Sequence, residues 1–370
     1  MDLDKLLPPL HFLTPLDGLD RLRAAKEAMS RLHLGRLQEL PLGRLGSRIA
    51  AGPSPLHNVV GVGIGERLVD GRPTGTLAIK IFVRIKYPKE QVTESDRLPA
   101  DVLGIPVDVE QVGTFRSLAT PPAPSTAGTA GIAGTSGSAA AASAALNPRA
   151  RLRPLQPGCS VGFVDAANPV VVAGTFGFLA TDGTRKYIVS NNHVLADENR
   201  LALGGPILQP GLLDGGDPQA DRIATLAGFT PLSRTDPNTV DCAKALLDDG
   251  QTASPAVLHV GAPRGTTPAA MDMVVHKFGR TTSYRVGRVT SVDTDLSVDY
   301  GQGAITFHGQ ILIQGVNGQP FSDAGDSGAL VVERATGKAV GLLFAGSTSH
   351  SAANHIEDVL AALQVRLASA

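Results

Sequence analysis

Residues 323–332 read Asp-Ala-Gly-Asp-Ser-Gly-Ala-Leu-Val-Val, a glycine-flanked serine, Ser327, followed by an apolar run. A serine hydroxyl is a poor nucleophile at neutral pH, so it needs a base for its proton and N–H donors for the oxyanion it generates. Gly325 has no side chain, which lets the loop aim its backbone N–H and that of Ser327 at one point. The run Ala329-Leu330-Val331-Val332 has the length and composition of a buried strand that would hold such a loop rigid. The same ten residues also fit an ordinary strand entry, and residues upstream decide between the two readings.

The base and its carboxylate have candidates. His193 lies in Ser190-Asn191-Asn192-His193-Val194-Leu195-Ala196, just after the apolar run Tyr187–Val189, where a strand end would point it into a cleft. Asp241 stands between apolar neighbours in Thr239-Val240-Asp241-Cys242-Ala243, an expensive place for a charge without a partner. A core histidine and a surface strand acid are the bland alternatives. Taken with Ser327, the three residue types make a complete nucleophile, base and orienting acid.

Around them the chain reads as mainly β. From Leu155 onward short apolar runs alternate with turn signals: Ser160–Val164, Val170–Leu179, Lys186–Ser190, Asp221–Ala227 and Val240–Leu246, with a hairpin turn at Thr181-Asp182-Gly183-Thr184. A second series follows: Val274–Phe278, Arg285–Val292, Ala304–Gln314, Gly328–Glu333 and Ala339–Phe344. Two consecutive sets of about six short strands predict two packed β-barrels, at about 155–255 and 270–350. Residues Ala353–Leu367 predict a helix, with Ile356, Val359, Leu360, Leu363 and Leu367 on one face, capping the second barrel.

Upstream, residues 1–50 carry an amphipathic basic helix from Asp17 to about Leu40, able to dock on a partner, lie on a membrane or pack on its own protein. Residues 51–116 predict a small α/β domain: strands Asn58–Gly65 and Thr76–Val83, the latter with Leu77, Ile79, Ile81 and Val83 inward and Lys80 and Arg84 outward, a helix Pro88–Leu103, and a strand Val107–Val112. The stretch Gly61-Val62-Gly63-Ile64-Gly65 lacks the full spacing of a dinucleotide loop, and no lysine follows it as in a P-loop. Residues 117–150 collapse to Ala, Gly, Ser, Thr and Pro and predict a flexible linker before the domain 151–370.

Composition narrows the rest. The 370 residues are long enough for two or three domains, and 42 glycines with 26 prolines suit a turn-rich β protein. A net charge of −1 gives no reason to expect nucleic acid, and no apolar run is long enough for a membrane span. Two cysteines, Cys159 and Cys242, rule out a disulfide framework, and the start Met1-Asp2-Leu3-Asp4 lacks a secretory signal, so a cytoplasmic location is expected. Asp214, Asp217 and Asp221 crowd a glycine-rich loop that could bind calcium or simply be solvated. Neither a metal nor a cofactor is called for, and homo-oligomerisation is compatible with the sequence.

The blocks SNNHVLA, GGPILQPG, VDCA, KFGRTTSYRVG, GDSGALVV and GLLFAGS together resemble trypsin-like, chymotrypsin-fold serine proteases, above all the bacterial α-lytic and streptogrisin branch. They are also similar to intracellular bacterial peptidases of this type and to the plant narrow-leaf peptidases, in which a VGVGIG start recurs. The likeness covers most of residues 157–345, and the order His193, Asp241, Ser327 matches the family's chain order. It implies two six-stranded barrels, and a serine endopeptidase acting on proteins or peptides. In it Ser327 attacks, His193 carries the proton, Asp241 orients the imidazole, and the Gly325 and Ser327 N–H groups form the oxyanion hole. Asp326 would hold the loop by an internal contact. Phe321, Ser322, Phe344, Ala345 and Gly346 would line the primary pocket, with no carboxylate at its base and hence a small or apolar preference.

Two departures weigh on that expectation. Val194 replaces a cysteine that secreted relatives pair in a disulfide. Phe344 stands where many relatives carry a serine that hydrogen-bonds the aspartate, leaving Asp241 in need of another donor. A catalytically weak or inactive protease-fold binding module is therefore the alternative, and a hydrolase of small esters a third. The N-terminal domain could inhibit the cleft, assist folding or recruit substrate.

Overall fold

The computed structural model describes residues 18–35, 54–118, 146–165 and 170–369. Most of the alanine-rich stretch expected as a linker, and both ends of the expected N-terminal helix, lie outside them. The helix α1 spans Gly18–His33, followed in the N-terminal part by the strands β1 (Val59–Val69), β2 (Arg72–Val83), β3 (Asp101–Val102), β4 (Ile105–Gln111) and β5 (Phe115–Ser117). Then come β6 (Ser160–Phe163), β7 (Gly174–Thr175), β8 (Phe178–Thr181), β9 (Lys186–Ser190), β10 (Pro206–Leu208), β11 (Arg222–Phe229) and β12 (Ala243–Leu247). The last series is β13 (Val274–Gly279), β14 (Ser283–Asp299), β15 (Ala304–Gly315), β16 (Leu330–Glu333), β17 (Ala339–Gly346), β18 (His350–His355) and β19 (Arg366–Leu367).

The strands form two sheets, as the strand-and-turn pattern predicts. In the second, the order β13-β16-β17-β18-β15-β14 closes on itself through the β13–β14 pairing, which makes a six-stranded barrel. The first sheet runs β19-β8-β9-β12-β11-β10-β6-β7, with the predicted Thr181–Thr184 turn joining β8 to β9. An apolar cluster including Phe176, Val189, Val194, Phe278, Leu330 and Leu342 joins the two sheets. Their facing edges carry the residues singled out in the sequence.

The N-terminal part departs from the expected tethered domain. β1 pairs antiparallel with β14, from Gly61 opposite Leu296 to Gly65 opposite Ser291, so its strands extend the barrel's own sheet. The glycine series explains how: a Cβ on Gly63 would lie 2.4 Å from Thr294 Oγ1, and one on Gly61 2.7 Å from a Leu296 methyl. These glycines permit the close approach of β14, and they sit within a strand where a phosphate loop would need a strand-to-helix turn. α1 lays Leu22, Ala25 and Met29 on the apolar face of β1 and β2. Its buried Lys26 reaches Asp293 and Asp295 of β14, so this basic amphipathic helix packs on its own protein.

Local expectations need four corrections. Pro88–Leu103 forms two short 3-10 turns, Lys89–Gln91 and Glu94–Asp96, because it has no apolar stripe to bury and prolines at 88 and 99 interrupt it. Leu77 is 42% exposed, whereas the supposedly outward Lys80 is buried and ion-paired with Asp108 and Glu110 of the neighbouring strand. The C-terminal helix is shorter, Ile356–Leu363, because residues 350–355 are taken into the barrel as β18. β19 then pairs with β8, so the tail ties onto the first sheet as well as covering the second.

Candidate active site

Three elements converge between the two sheets. After β9 the chain turns through one helical turn, Asn192–Leu195, and this delivers His193. Asp241 directly precedes β12, the strand paired with β9, so sheet register brings imidazole and carboxylate together from 48 residues apart. Ser327 comes from the barrel, on the loop before β16. His193 Nδ1 is hydrogen-bonded to Asp241 Oδ2, and His193 Nε2 lies 2.7 Å from Ser327 Oγ. All three side chains are buried.

The carboxylate is surrounded by donors. Asp241 Oδ1 accepts from the Asn192 amide at 2.7 Å and the His193 amide at 3.3 Å. Its Oδ2 accepts from the Tyr300 hydroxyl at 2.7 Å as well as from the histidine. An ionised carboxylate only accepts, so His193 must carry its proton on Nδ1, which leaves Nε2 to accept from Ser327. The Asp241 amide donates to Asn354 Oδ1 at 3.0 Å, and Asn354 in turn donates to Gln310, which pins the aspartate to the barrel.

Tyr300 supplies the further donor that Asp241 was expected to need. It follows the end of β14, and its ring meets the His193 imidazole edge-on at 5.7 Å. Burial, and then the charge of Asp241, push the Tyr300 hydroxyl well above its ordinary pKa, so it remains a donor. Phe344 packs at 4.7 Å on Phe307, which stacks on Tyr300. Phe344 therefore belongs to the aromatic cluster that holds Tyr300 in place. Nothing near Asp241 in the sequence announces this residue, which lies 59 positions downstream in a hairpin of the other sheet.

The serine loop is held as rigidly. Gly325 has φ +97°, in the left-handed region, and a Cβ there would lie 2.3 Å from Thr281 Oγ1. Its carbonyl accepts from Thr175 Oγ1 at 2.9 Å. Asp326 is fully buried against Lys277 Nζ at 2.9 Å, Thr282 Oγ1 at 2.6 Å and the Thr281 amide at 2.9 Å. Burial alone would raise its carboxyl, but the Lys277 ammonium and these donors outweigh it and hold it below the ordinary carboxylate range. This is the internal contact expected of Asp326, and the GRTT block supplies most of it.

The expected pocket residues divide. A Cβ built on Gly346 would lie 3.0 Å from a Leu118 methyl and 3.4 Å from Ser322 Oγ, and Phe321 shares an apolar cluster with Leu118. Phe344 and Ala345 belong instead to the cluster of Tyr300 and Phe307. Ser322 Oγ is hydrogen-bonded to Ser351 Oγ at 2.6 Å. The Gly325 N–H donates to the Leu118 carbonyl at 2.5 Å.

Neighbouring groups have structural partners. Asp214 binds Arg280 and Ser160 Oγ, and Asp221 binds Arg151, so two of the three acids of the glycine-rich loop are engaged by arginines. Cys159 and Cys242 are free, and burial pushes both thiols up to about 12, leaving them without nucleophilic character.

A buried serine, imidazole and carboxylate at the seam of two β-sheets define the class of site: one able to transfer a proton from a hydroxyl nucleophile. Among solved structures, similarity is found to Thermobifida fusca Protease A, 17% identical over 58% of this chain and 99% of that one, TM-score 0.42. A homologue of α-lytic protease gives the same identity, coverage and score, and the Cellulomonas bogoriensis chymotrypsin is 16% identical over 58% of this chain and 99% of its own, TM-score 0.40. No family model and no curated protein matches the sequence.

Proposed function

We propose that the protein is a serine endopeptidase. The observation that carries this reading is the continuous hydrogen-bonded line from Ser327 Oγ through His193 to Asp241, with the imidazole nitrogen 2.7 Å from the hydroxyl. Ser327 Oγ adds to a peptide carbonyl while its proton passes to His193 Nε2, and the oxyanion is stabilised by the N–H groups of Gly325 and Ser327. His193 returns the proton to the leaving amine. Water, activated by the same imidazole, then hydrolyses the ester. Asp241 supports the transient imidazolium, and the Tyr300 hydroxyl, with the Asn192 and His193 amides, supports Asp241.

The weak-enzyme alternative arose from Phe344, and Tyr300 gives Asp241 the further donor it was expected to need. The test is labelling of the purified full chain with a fluorophosphonate, alongside Ser327→Ala and His193→Ala. Covalent labelling of wild type that is lost in both variants is the expected result. Folded wild-type protein that neither labels nor hydrolyses casein would return the fold to the binding-module reading.

A further inference from the structure

The strand pairing that brings the histidine and aspartate segments together stops short of both residues. β9 and β12 are in register only as far as Ser190 opposite Ala243, so His193 and Asp241 lie beyond the end of the ladder. Past that point the backbone is strained. Asp197, Glu198 and Asn199 have φ of +49°, +51° and +76°, three successive left-handed residues with no glycine among them. The strain is greatest at Glu198, which lacks the short polar side chain that lets aspartate and asparagine tolerate this conformation. The next turn uses glycine for it, Gly204 at φ +86°.

Such strain persists only where surrounding contacts over-determine it. Both oxygens of Asp197 are held by Arg200, at 2.6 and 2.9 Å, and Glu198 is held by Arg234 at 2.8 Å. The reversal turns Asn199 back onto the fully buried Asn192, seven residues earlier. Asn192 Nδ2 donates to Asn199 Oδ1 at 2.7 Å and to the Thr230 carbonyl at 2.8 Å, and the Asn199 amide donates to Asn192 Oδ1 at 3.0 Å. Asn199 Oδ1 also accepts from the Leu232 amide, and Asn199 Nδ2 donates to the Leu232 carbonyl, both at 2.9 Å. Thr230 and Leu232 belong to the loop that leads from β11 to Asp241. The two asparagines therefore tie the histidine segment to the aspartate segment where the strands no longer do. With both side-chain N–H groups and its oxygen engaged, Asn192 is fixed in place, and its backbone N–H is the one that donates to Asp241 Oδ1 at 2.7 Å. A staple for a surface turn alone would have no need to grip that residue.

We propose that Asn199 is a positioning residue: by clamping Asn192 it keeps the Asn192 N–H on Asp241, and so fixes the carboxylate against the His193 imidazole. The effect on catalysis rests on the endopeptidase activity proposed above, whereas the hold on the amide does not. Asn199 itself is exposed, so replacing it opens no cavity in the core.

The test compares full-length wild type with Asn199→Gly and Asn199→Asp. Glycine takes positive φ freely, so the first variant removes the clamp without adding strain. Aspartate tolerates that φ and keeps the acceptor for Asn192, giving up the donation to Leu232. Three quantities are measured: fluorophosphonate labelling rate against probe concentration, deuterium exchange of the Asn192 backbone amide, and urea unfolding. Asn199→Gly should lower the limiting labelling rate at least about tenfold, while the half-saturating probe concentration stays within about twofold of wild type. Its Asn192 amide should exchange at least about tenfold faster, and Asn199→Asp should lie within about threefold of wild type in both respects. Wild-type exchange at Asn192 in Asn199→Gly overturns the positioning role. So does unchanged labelling, a labelling loss matched by loss of folded protein, or an Asn199→Asp no better than Asn199→Gly. A folded wild type that never labels overturns the endopeptidase reading, and the exchange comparison then decides the hold on the amide by itself.

Discussion

Two buried carboxylates lie in or next to the candidate site, and they are partnered by opposite means. Asp241, on the first sheet's side, is ringed by neutral donors: two backbone amides, the Tyr300 hydroxyl and the imidazole. Asp326, on the barrel's side, is met by a fixed cation, Lys277. Under the proposed mechanism a full counter-charge beside Asp241 would cancel the field that a transient imidazolium needs, whereas Asp326 has only to hold a loop and loses nothing by being neutralised. The same burial thus serves a working charge in one place and a structural one in the other.

That contrast can be broken at either end. The largest expected effect is Asp241→Asn, which keeps the shape but invites the wrong imidazole tautomer. Turnover should fall by about 10⁴-fold with the fold intact, as read by peptide hydrolysis alongside circular dichroism. Next, Lys277→Met should act on stability, costing about 3–5 kcal/mol in urea unfolding because it strands the buried Asp326 charge. Tyr300→Phe should be milder, about 1.5–3 kcal/mol in the barrier for the loss of one hydrogen bond to a charged group, visible in kcat more than in KM. The smallest effect is one of pH. The folded Asp326 carboxyl lies below its unfolded value of about 4, so its stabilisation is full above that pH and is lost as pH falls through the folded value. Urea midpoints between pH 6 and pH 3 should therefore decline in wild type, and Lys277→Met should decline less.

The chemical residues were legible because each carries its own local signature: a glycine-flanked serine, a histidine at a strand end, an acid among apolar neighbours. The six-stranded ring followed from strand spacing; an internal contact was expected for Asp326, but nothing in the sequence named Lys277, Thr281 and Thr282 as its partners. Tyr300 was not legible, because its role depends on where a distant hairpin ends and its flanks carry no signal. The charged segment after Pro88 has no apolar stripe to bury, which is why it forms turns where its composition suggests a helix. The tethered-domain expectation failed for a subtler reason. Alternating glycines in β1 allow another strand to approach closely but do not say which one, and that partner lies more than 200 residues away, as Ser291 bonding to Ile64 shows.

This distance has a consequence for the growing chain. β1 leaves the ribosome long before β14 exists, so its glycine-lined edge waits without a neighbour while the first sheet and the candidate histidine and aspartate are made. The strand that closes the ring through β13 is the same one that relieves β1, and so both must wait for a single late segment. Assembly is then governed by contacts of long sequence separation and is slow for the protein's size. A nascent chain halted before residue 283 would present a bare sheet edge, open to pairing with another copy.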